Sequence, residues 1–165
     1  MPSEFSFDVV SEVDLNLIAE CINVALKEIT NRFDFKDANA SIELDQKEKK
    51  LTVRASDSYR VDAALDVLYT RMAKRDIPLK NFKKGKVEQA LGQTARMEVA
   101  VQAGIPIEKA KEMVALIKTQ KLKVNPSIQG DQVRISSKSK DELQAAMALL
   151  KGRDFGVELQ FKNFR

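Results

Sequence analysis

The side chains able to do chemistry in this chain are cations and amides with one well-placed ring, and no ready nucleophile stands among them. Lys123, Arg134, Lys162 and Arg165 fall in the last third of the chain, near Gln132, Ser136 and Gln160. A guanidinium offers a planar fork of donors to a phosphate or to the edge of a guanine, and an ammonium offers a point charge. Phe164, between Lys162 and Arg165, adds a ring on which a base could stack beside cations. Such a set suits recognition of a phosphate-bearing ring compound. The competing readings are a solvated polar face for the cations and a ring folded back on the protein for Phe164.

Bond-making chemistry is poorly served. The 165 residues contain no histidine, which removes Ser-His and Cys-His nucleophile pairs and every imidazole-dependent zinc site. The single cysteine, Cys21, lies on an apolar helical stripe and reads as a buried, inert thiol. Gly85-Lys86 and Gly130-Asp131 sit in turns outside any Walker-type run. Asp8, Glu12 and Asp14 form an acidic cluster around Ser11 at a strand-to-helix junction, where helix capping explains them better than a metal does. No catalytic residue, metal or cofactor is expected, and the chain reads as a binding protein.

The net charge is +4, unevenly spread along the sequence. Residues 1–82 hold 12 Lys/Arg against 15 Asp/Glu, giving −3, and residues 83–165 hold 16 against 9, giving +7. The basic half is where a phosphate-bearing partner is expected. No apolar run approaches a membrane span, and Met1-Pro2-Ser3-Glu4 lacks the basic stretch and apolar core of a leader, so a cytoplasmic location is expected.

The elements that must position these residues repeat once. Phe5 to Val10 alternates as a strand, and a helix follows with Leu15, Ile18, Ile22, Leu26 and Ile29 on one face, Ser11 being placed to cap it. Ser41–Asp45 and Lys50–Ala55 flank a charged turn as a hairpin. The next helix carries Val61, Leu65, Leu68 and Met72 and ends before Pro78. The second copy opens with the strand Arg96–Val101, breaks at Gly104 and starts a helix at Pro106. Strands follow at Lys121–Ile128 and Gln132–Ser136, then a helix capped by Ser139 and bearing Leu143, Met147 and Leu150, then the strand Val157–Phe161. In the first copy Leu79–Lys84 is a weak closing strand, and residues 81–92 read as the connector.

This is a split-βαβ order, so the fold class is α+β: two ferredoxin-like βαββαβ modules in tandem, at 1–92 and 93–165, each an antiparallel sheet covered by two helices. The other sheet face stays open. Strand alternation sends Val133, Ile135, Leu159, Phe161, Leu122 and Val124 inward, leaving Lys123, Arg134, Gln160 and Lys162 on the open face, with Phe164 on the side of Lys162. In the first copy that face is mixed in sign, with Arg54 beside Glu43 and Asp45. The central strands carry none of the stacking aromatics of an RNA recognition motif. Phe5, Phe7 and Phe33 read as core.

These blocks resemble the YajQ family of bacterial nucleotide-binding proteins. The likeness runs through Phe7-Asp8-Val9-Val10-Ser11-Glu12-Val13-Asp14, Arg32-Phe33-Asp34-Phe35-Lys36, Lys121-Leu122-Lys123-Val124, Ile128-Gln129-Gly130-Asp131-Gln132-Val133-Arg134, Asp141-Glu142-Leu143-Gln144 and Gln160-Phe161-Lys162-Asn163-Phe164-Arg165. One departure is Glu4-Phe5-Ser6, where the family runs from Met-Pro-Ser straight into Phe-Asp. The resemblance implies modules that exchange their first strands, so that 5–10 joins the C-terminal sheet and 95–102 the N-terminal one. It also implies nucleotide or RNA binding, with cyclic di-GMP as effector ligand in some members, and it assigns no catalytic residue.

Three functions follow as expectations. The first is a non-catalytic regulatory protein that binds a nucleotide, cyclic di-GMP being the sharpest candidate, through Lys123, Arg134, Lys162, Phe164 and Arg165. On that reading Arg134→Ala weakens binding and leaves the melting temperature nearly unchanged. The second is RNA or tRNA binding through the basic half, with a steep salt dependence. The third is a protein-interaction module in transcriptional regulation, using exposed strand edges.

Overall fold

In the computed structural model, residues 4–32, 36, 39–90 and 92–165 are described. The core candidate Phe33, and Phe35 beside it, lie outside the described residues. In chain order the elements are β1 (Phe5–Val10), α1 (Leu15–Thr30), β2 (Ser41–Asp45), β3 (Lys50–Ala55), α2 (Ser58–Lys74), β4 (Phe82–Ala90), β5 (Thr94–Val101), α3 (Ile107–Thr119), β6 (Asn125–Gln129), β7 (Gln132–Ser137), α4 (Lys140–Lys151) and β8 (Gln160–Lys162). One 3-10 turn at Leu79–Asn81 leads into β4.

Two four-stranded sheets result, ordered β6-β7-β1-β8 and β2-β3-β5-β4, with every pairing antiparallel. The opening strand of each repeat is thus a central strand of the other repeat's sheet. The chain divides into a unit of Met1–Glu12 with Ala103–Arg165, called the C-terminal unit below, and a central unit of Val13–Gln102. The limits 1–92 and 93–165 follow element order along the chain, whereas these units follow the sheets.

Each sheet buries one face. In the central unit, Leu51 and Val53 of β3 and Met97 and Val99 of β5 meet Ile18, Ile22, Leu65 and Leu68 of α1 and α2. In the C-terminal unit, Phe7, Val9, Val133 and Ile135 meet Met113, Ile117 and Leu150 of α3 and α4. Cys21 is buried in the central core, and burial pushes its thiol up, so it behaves as a small hydrophobe.

Several local expectations are corrected. The cap of α1 is Asp14, whose carboxylate accepts from the backbone N–H groups of Asn16 and Leu17, and not Ser11. Residues 82–90 are a long edge strand, not a connector. Its polar Lys83-Lys84-Gly85-Lys86 run is how an exposed edge avoids pairing with other chains, and the same polarity makes it look like a loop. Residues 121–124 precede the sheet: Lys121 is left-handed (φ 54°) and pairing starts at Asn125. The last strand is Gln160–Lys162.

Gly104 is a tightly packed glycine of the C-terminal unit. Its φ is +87°, its N–H donates to Ser11 O at 2.7 Å, and an added Cβ would fall 2.5 Å from Asp131 Oδ2. Gly104→Ala is therefore expected to cost about 1–3 kcal/mol, the scale of a non-glycine residue forced into a sparse backbone region. Urea titration checks it, and an unchanged midpoint would contradict it.

Candidate functional site

On β1 the pattern Phe5-Ser6-Phe7-Asp8-Val9-Val10 sends Phe7 and Val9 to the helices and Ser6 and Asp8 to the open face. Register puts Asp8 opposite Arg134 of β7 on one side and Lys162 of β8 on the other. Asp8 is only 2% exposed although it lies on the open side of the sheet, because its neighbours cover it. Arg134 Nε donates to Asp8 Oδ1 at 2.9 Å, and Asn163 Nδ2 donates to Asp8 Oδ2 at 2.7 Å. The Arg134 hydrogen bond outweighs burial and, with Asn163 and the nearby positive charges, holds the Asp8 carboxyl below the usual carboxylate range. The same bond raises the already high value of Arg134.

Arg134 is therefore a braced arginine. Its side chain is 33% exposed, and among the described residues Asp8 is its one hydrogen-bond partner, through Nε. The two Nη groups remain for a ligand. Around it the register places Ser6, Asn125, Ser127, Gln132 and Ser136 on the same face, all with hydrogen-bonding side chains. No residue placed there is aromatic.

The other expected binding residues divide. Lys162 is on this face, but its Nζ is 2.7 Å from Glu12 Oε2. Gln160 is spent locally as well: its Oε1 accepts from the Glu12 N–H and its Nε2 donates to the Glu12 carbonyl. Of the acidic cluster, then, only Asp14 caps a helix, while Asp8 and Glu12 hold the cations of the sheet. Lys123 lies outside the ladder, in the bend before β6. Its N–H donates to Glu142 Oε2, and its carbonyl accepts from Ser137 Oγ.

Phe164 is on the opposite side from Lys162. Asn163 has φ 58°, and its side chain shares the open face with that of Lys162, so two successive residues point the same way. This bulge reverses the alternation. Phe164 then packs on Phe7, with ring centroids 5.9 Å apart, on the helix side of β1. Arg165 extends the pairing, exchanging backbone hydrogen bonds with Ser6 at 3.0 and 3.2 Å.

The charge argument also changes. β1 brings Glu4, Asp8 and Glu12 into the C-terminal unit, while Lys83, Lys84, Lys86 and Arg96 belong to the central one. The C-terminal unit has 12 Lys/Arg against 10 Asp/Glu and the central unit 16 against 14, so each is +2. The −3/+7 asymmetry belongs to the sequence and not to the folded units.

On the central unit's open face the charges neutralise one another. Arg54 pairs with Glu43 at 3.4 Å, Lys50 with Glu98 at 3.4 Å and Arg96 with Glu88 at 3.0 Å. A cavity of about 370 Å³ beside α1 and α2 has Glu28, Asp62 and Asp66 in its wall against one cation, Arg32, a poor setting for phosphate. No helix among the described residues is long and apolar enough to cross a membrane.

Asp8, which the sequence assigns to a capping cluster, and Asn163, which it does not single out, are the residues that brace Arg134. The out-of-phase Asp8 between Phe7 and Val9 was the available signal, and it acquires meaning once β1 is placed beside β7.

Comparison with known proteins finds relatives along nearly the whole chain. The family described as "Nucleotide-binding protein YajQ-like" matches residues 5–165. A protein of Elusimicrobium minutum named "Nucleotide-binding protein" is 58% identical over 163 residues, 99% of each chain. One of Carboxydothermus hydrogenoformans with the same name is 48% identical over 165 residues, covering both chains entirely. One of Bacillus mycoides named "Nucleotide-binding protein BcerKBAB4_1061" is 43% identical over the full length of both.

Proposed function

From the premise that the chain belongs to the YajQ-like family of nucleotide-binding proteins, we propose that it is a non-catalytic regulatory protein that binds a nucleotide on the open face of its C-terminal sheet, the ligand being cyclic di-GMP. The observation that carries this reading is the Asp8–Arg134 brace. A carboxylate fixed under Nε holds the guanidinium in one orientation and leaves its outer edge for a phosphate pair or a guanine edge. Preorganisation of this kind removes part of the ordering cost of binding. Gln132 and Ser136 supply neutral partners for sugar and base.

With no ring on that face, the base is held by hydrogen bonds there. Asp8, the carboxylate of the site, is buried and already bonded twice, and the chain has no imidazole, which supports binding over catalysis. RNA binding, the second reading, loses its charge argument now that both units stand at +2. A protein partner in transcription would then sense the occupied face.

Calorimetric titration with cyclic di-GMP, GTP, ATP and a short RNA at two salt concentrations tests this. Saturable binding of the cyclic dinucleotide with a shallow salt dependence is expected; RNA binding that falls steeply with salt would move the function to RNA. The informative variant is Arg134→Lys, because lysine keeps a cation beside Asp8 but has no second fork to offer. Its affinity for cyclic di-GMP is expected to fall about tenfold, roughly 1.4 kcal/mol. Wild-type affinity in the folded variant would remove Arg134 from the site.

A further inference from the structure

The helix layer of the C-terminal unit stops short of one strand. α3 packs mainly on β6 and α4 mainly on β7 and β1, so no helix among the described residues is centred on β8. The helix side of that edge carries Phe161 and, past the Asn163 bulge, Phe164, whose ring is 62% exposed. Between Phe164 and α4 lies a cavity of about 330 Å³ with Phe5, Phe7, Leu143 and Met147 in its wall.

The other repeat closes the same flank with its own chain. Counted from the caps Asp57 and Ser139, Leu65 and Met147 occupy one helix position, and Tyr69 and Lys151 another. Leu65 is fully buried, whereas Met147 is half-buried. Tyr69 meets Phe82 of the edge strand β4 at 6.0 Å, and that ring is buried. Where α2 has the Tyr69 ring, α4 has the Lys151 ammonium, 5.3 Å from the Phe161 centroid.

The uncovered strip is framed by charge of one sign. Lys140, Gln144, Met147 and Lys151 recur at i, i+4, i+7 and i+11, one stripe along α4. Lys140 Nζ stands 4.8 Å from the Phe5 centroid at one end, and Lys151 stands over Phe161 at the other. Eleven residues of helix separate these lysines by about 16 Å. Neither has a carboxylate partner among the described residues. Arg165 takes no part, because its backbone pairs with Ser6 and its charge acts on Asp8, on the open face.

We propose that this strip is a docking groove for an amphipathic helix of a partner protein, apolar on one face and flanked by carboxylates about three turns apart, which lies beside α4 and completes the layer over β8. A helix fits because the neighbour that α4 lacks on this flank is one more element of its own layer, and apolar grooves of this kind take anchors at i, i+3, i+4 and i+7. The Phe164 ring offers a rigid contact, and Met147, unbranched and pliant, adapts to the incoming side chains. The two lysines favour acidic flanks and disfavour basic ones. A bilayer would meet a flat surface, whereas these rings line a concave one. The inference stands apart from the nucleotide reading, which concerns the other face of β1.

The test is an NMR titration of the full, 15N-labelled chain with a capped peptide of about four helical turns. It carries leucines at i, i+3, i+4 and i+7 and two glutamates eleven positions apart, and a control peptide has lysines in place of those glutamates. The proteins are the wild type, Phe164→Ala and the double variant Lys140→Glu/Lys151→Glu; all three side chains are exposed, so the variants are expected to melt close to the wild type. Saturable shifts are expected in α4, Phe5–Phe7 and Phe161–Phe164, with at least tenfold weaker binding in each variant. The lysine peptide is expected to bind the double variant more tightly than it binds the wild type, a charge-swap rescue that a merely destabilised protein would not give. Absence of saturable shifts with the glutamate peptide would overturn the groove, and so would equal affinity of the wild type for both peptides. Phosphatidylserine vesicles that shift the same amides while the peptide does not would make this a membrane-facing surface instead.

Discussion

Phe7→Ala is expected to strip hydrogen-exchange protection from the last third of the chain, more than a hundred residues away in sequence. Phe7 is 1% exposed, lies opposite Ile135, and meets Phe161 edge-on at 5.7 Å and Phe164 at 5.9 Å. Removing a buried phenylalanine costs about 3–5 kcal/mol. That is a large share of the ~5–15 kcal/mol that holds a domain together. β1 lies between β7 and β8, so the cavity opens in the middle of the C-terminal sheet. Amides of β7, α4 and β8 are expected to exchange much sooner than in the wild type, ahead of those of β2 and β3. A strand serving the helix that follows it would give the reverse pattern, with β2 and β3 losing protection first. The experiment thus measures the strand exchange itself as well as a core residue.

Element order was legible because it is written locally. The 3.6 and 2.0 periods, Gly104 with Pro106, the stop before Pro78 and the Gly130-Asp131 turn are each properties of a few neighbouring residues. Strand partners are not local. Phe5–Val10 and Thr94–Val101 alternate in much the same way, and nothing within either says which sheet it enters, so the exchange was available only through family likeness. The electrostatic reading inherited that gap: halves at −3 and +7 become units at +2 each once β1 carries its three acids across.

The candidate site shows the same division. Arg134 was correctly phased, since Val133 and Ile135 on either side are fully buried. Its brace was invisible, since Asp8 and Arg134 are 126 positions apart. Phe164 was placed on the wrong face because alternation was carried through Asn163, and a left-handed residue with two same-side neighbours breaks that count. Lys123 was placed in the ladder because burial still alternates through Leu122 and Val124, although no strand is paired there. Alternation reports which way side chains face and says nothing of whether a neighbouring strand is present.

The brace makes a second large prediction and overturns one from sequence. Arg134 cannot be removed at no cost to stability, because Arg134→Ala would leave the Asp8 carboxylate buried with Asn163 alone. The cleaner substitution is Asp8→Asn, which keeps the shape and removes the charge. Its amide can still accept from Arg134 Nε, but its NH2 group then faces the Nδ2 of Asn163, donor against donor. Breaking a buried pair costs about 3–5 kcal/mol, and the lower end applies because Arg134 is one-third exposed and can turn to water. The pH dependence separates charge from packing. The folded Asp8 carboxyl is held below its unfolded value of about 3.9. Its contribution is therefore complete above that value and is lost as pH falls through the lowered folded one. The stability gap between wild type and Asp8→Asn is expected to be flat from about pH 7 to pH 5 and to narrow below about pH 4. A gap of constant size down to pH 3 would mean that Asp8 holds the sheet by shape and not by charge. Affinity for cyclic di-GMP should fall in the same variant even at pH 7, since a guanidinium released from its carboxylate samples many orientations and meets the ligand in few of them.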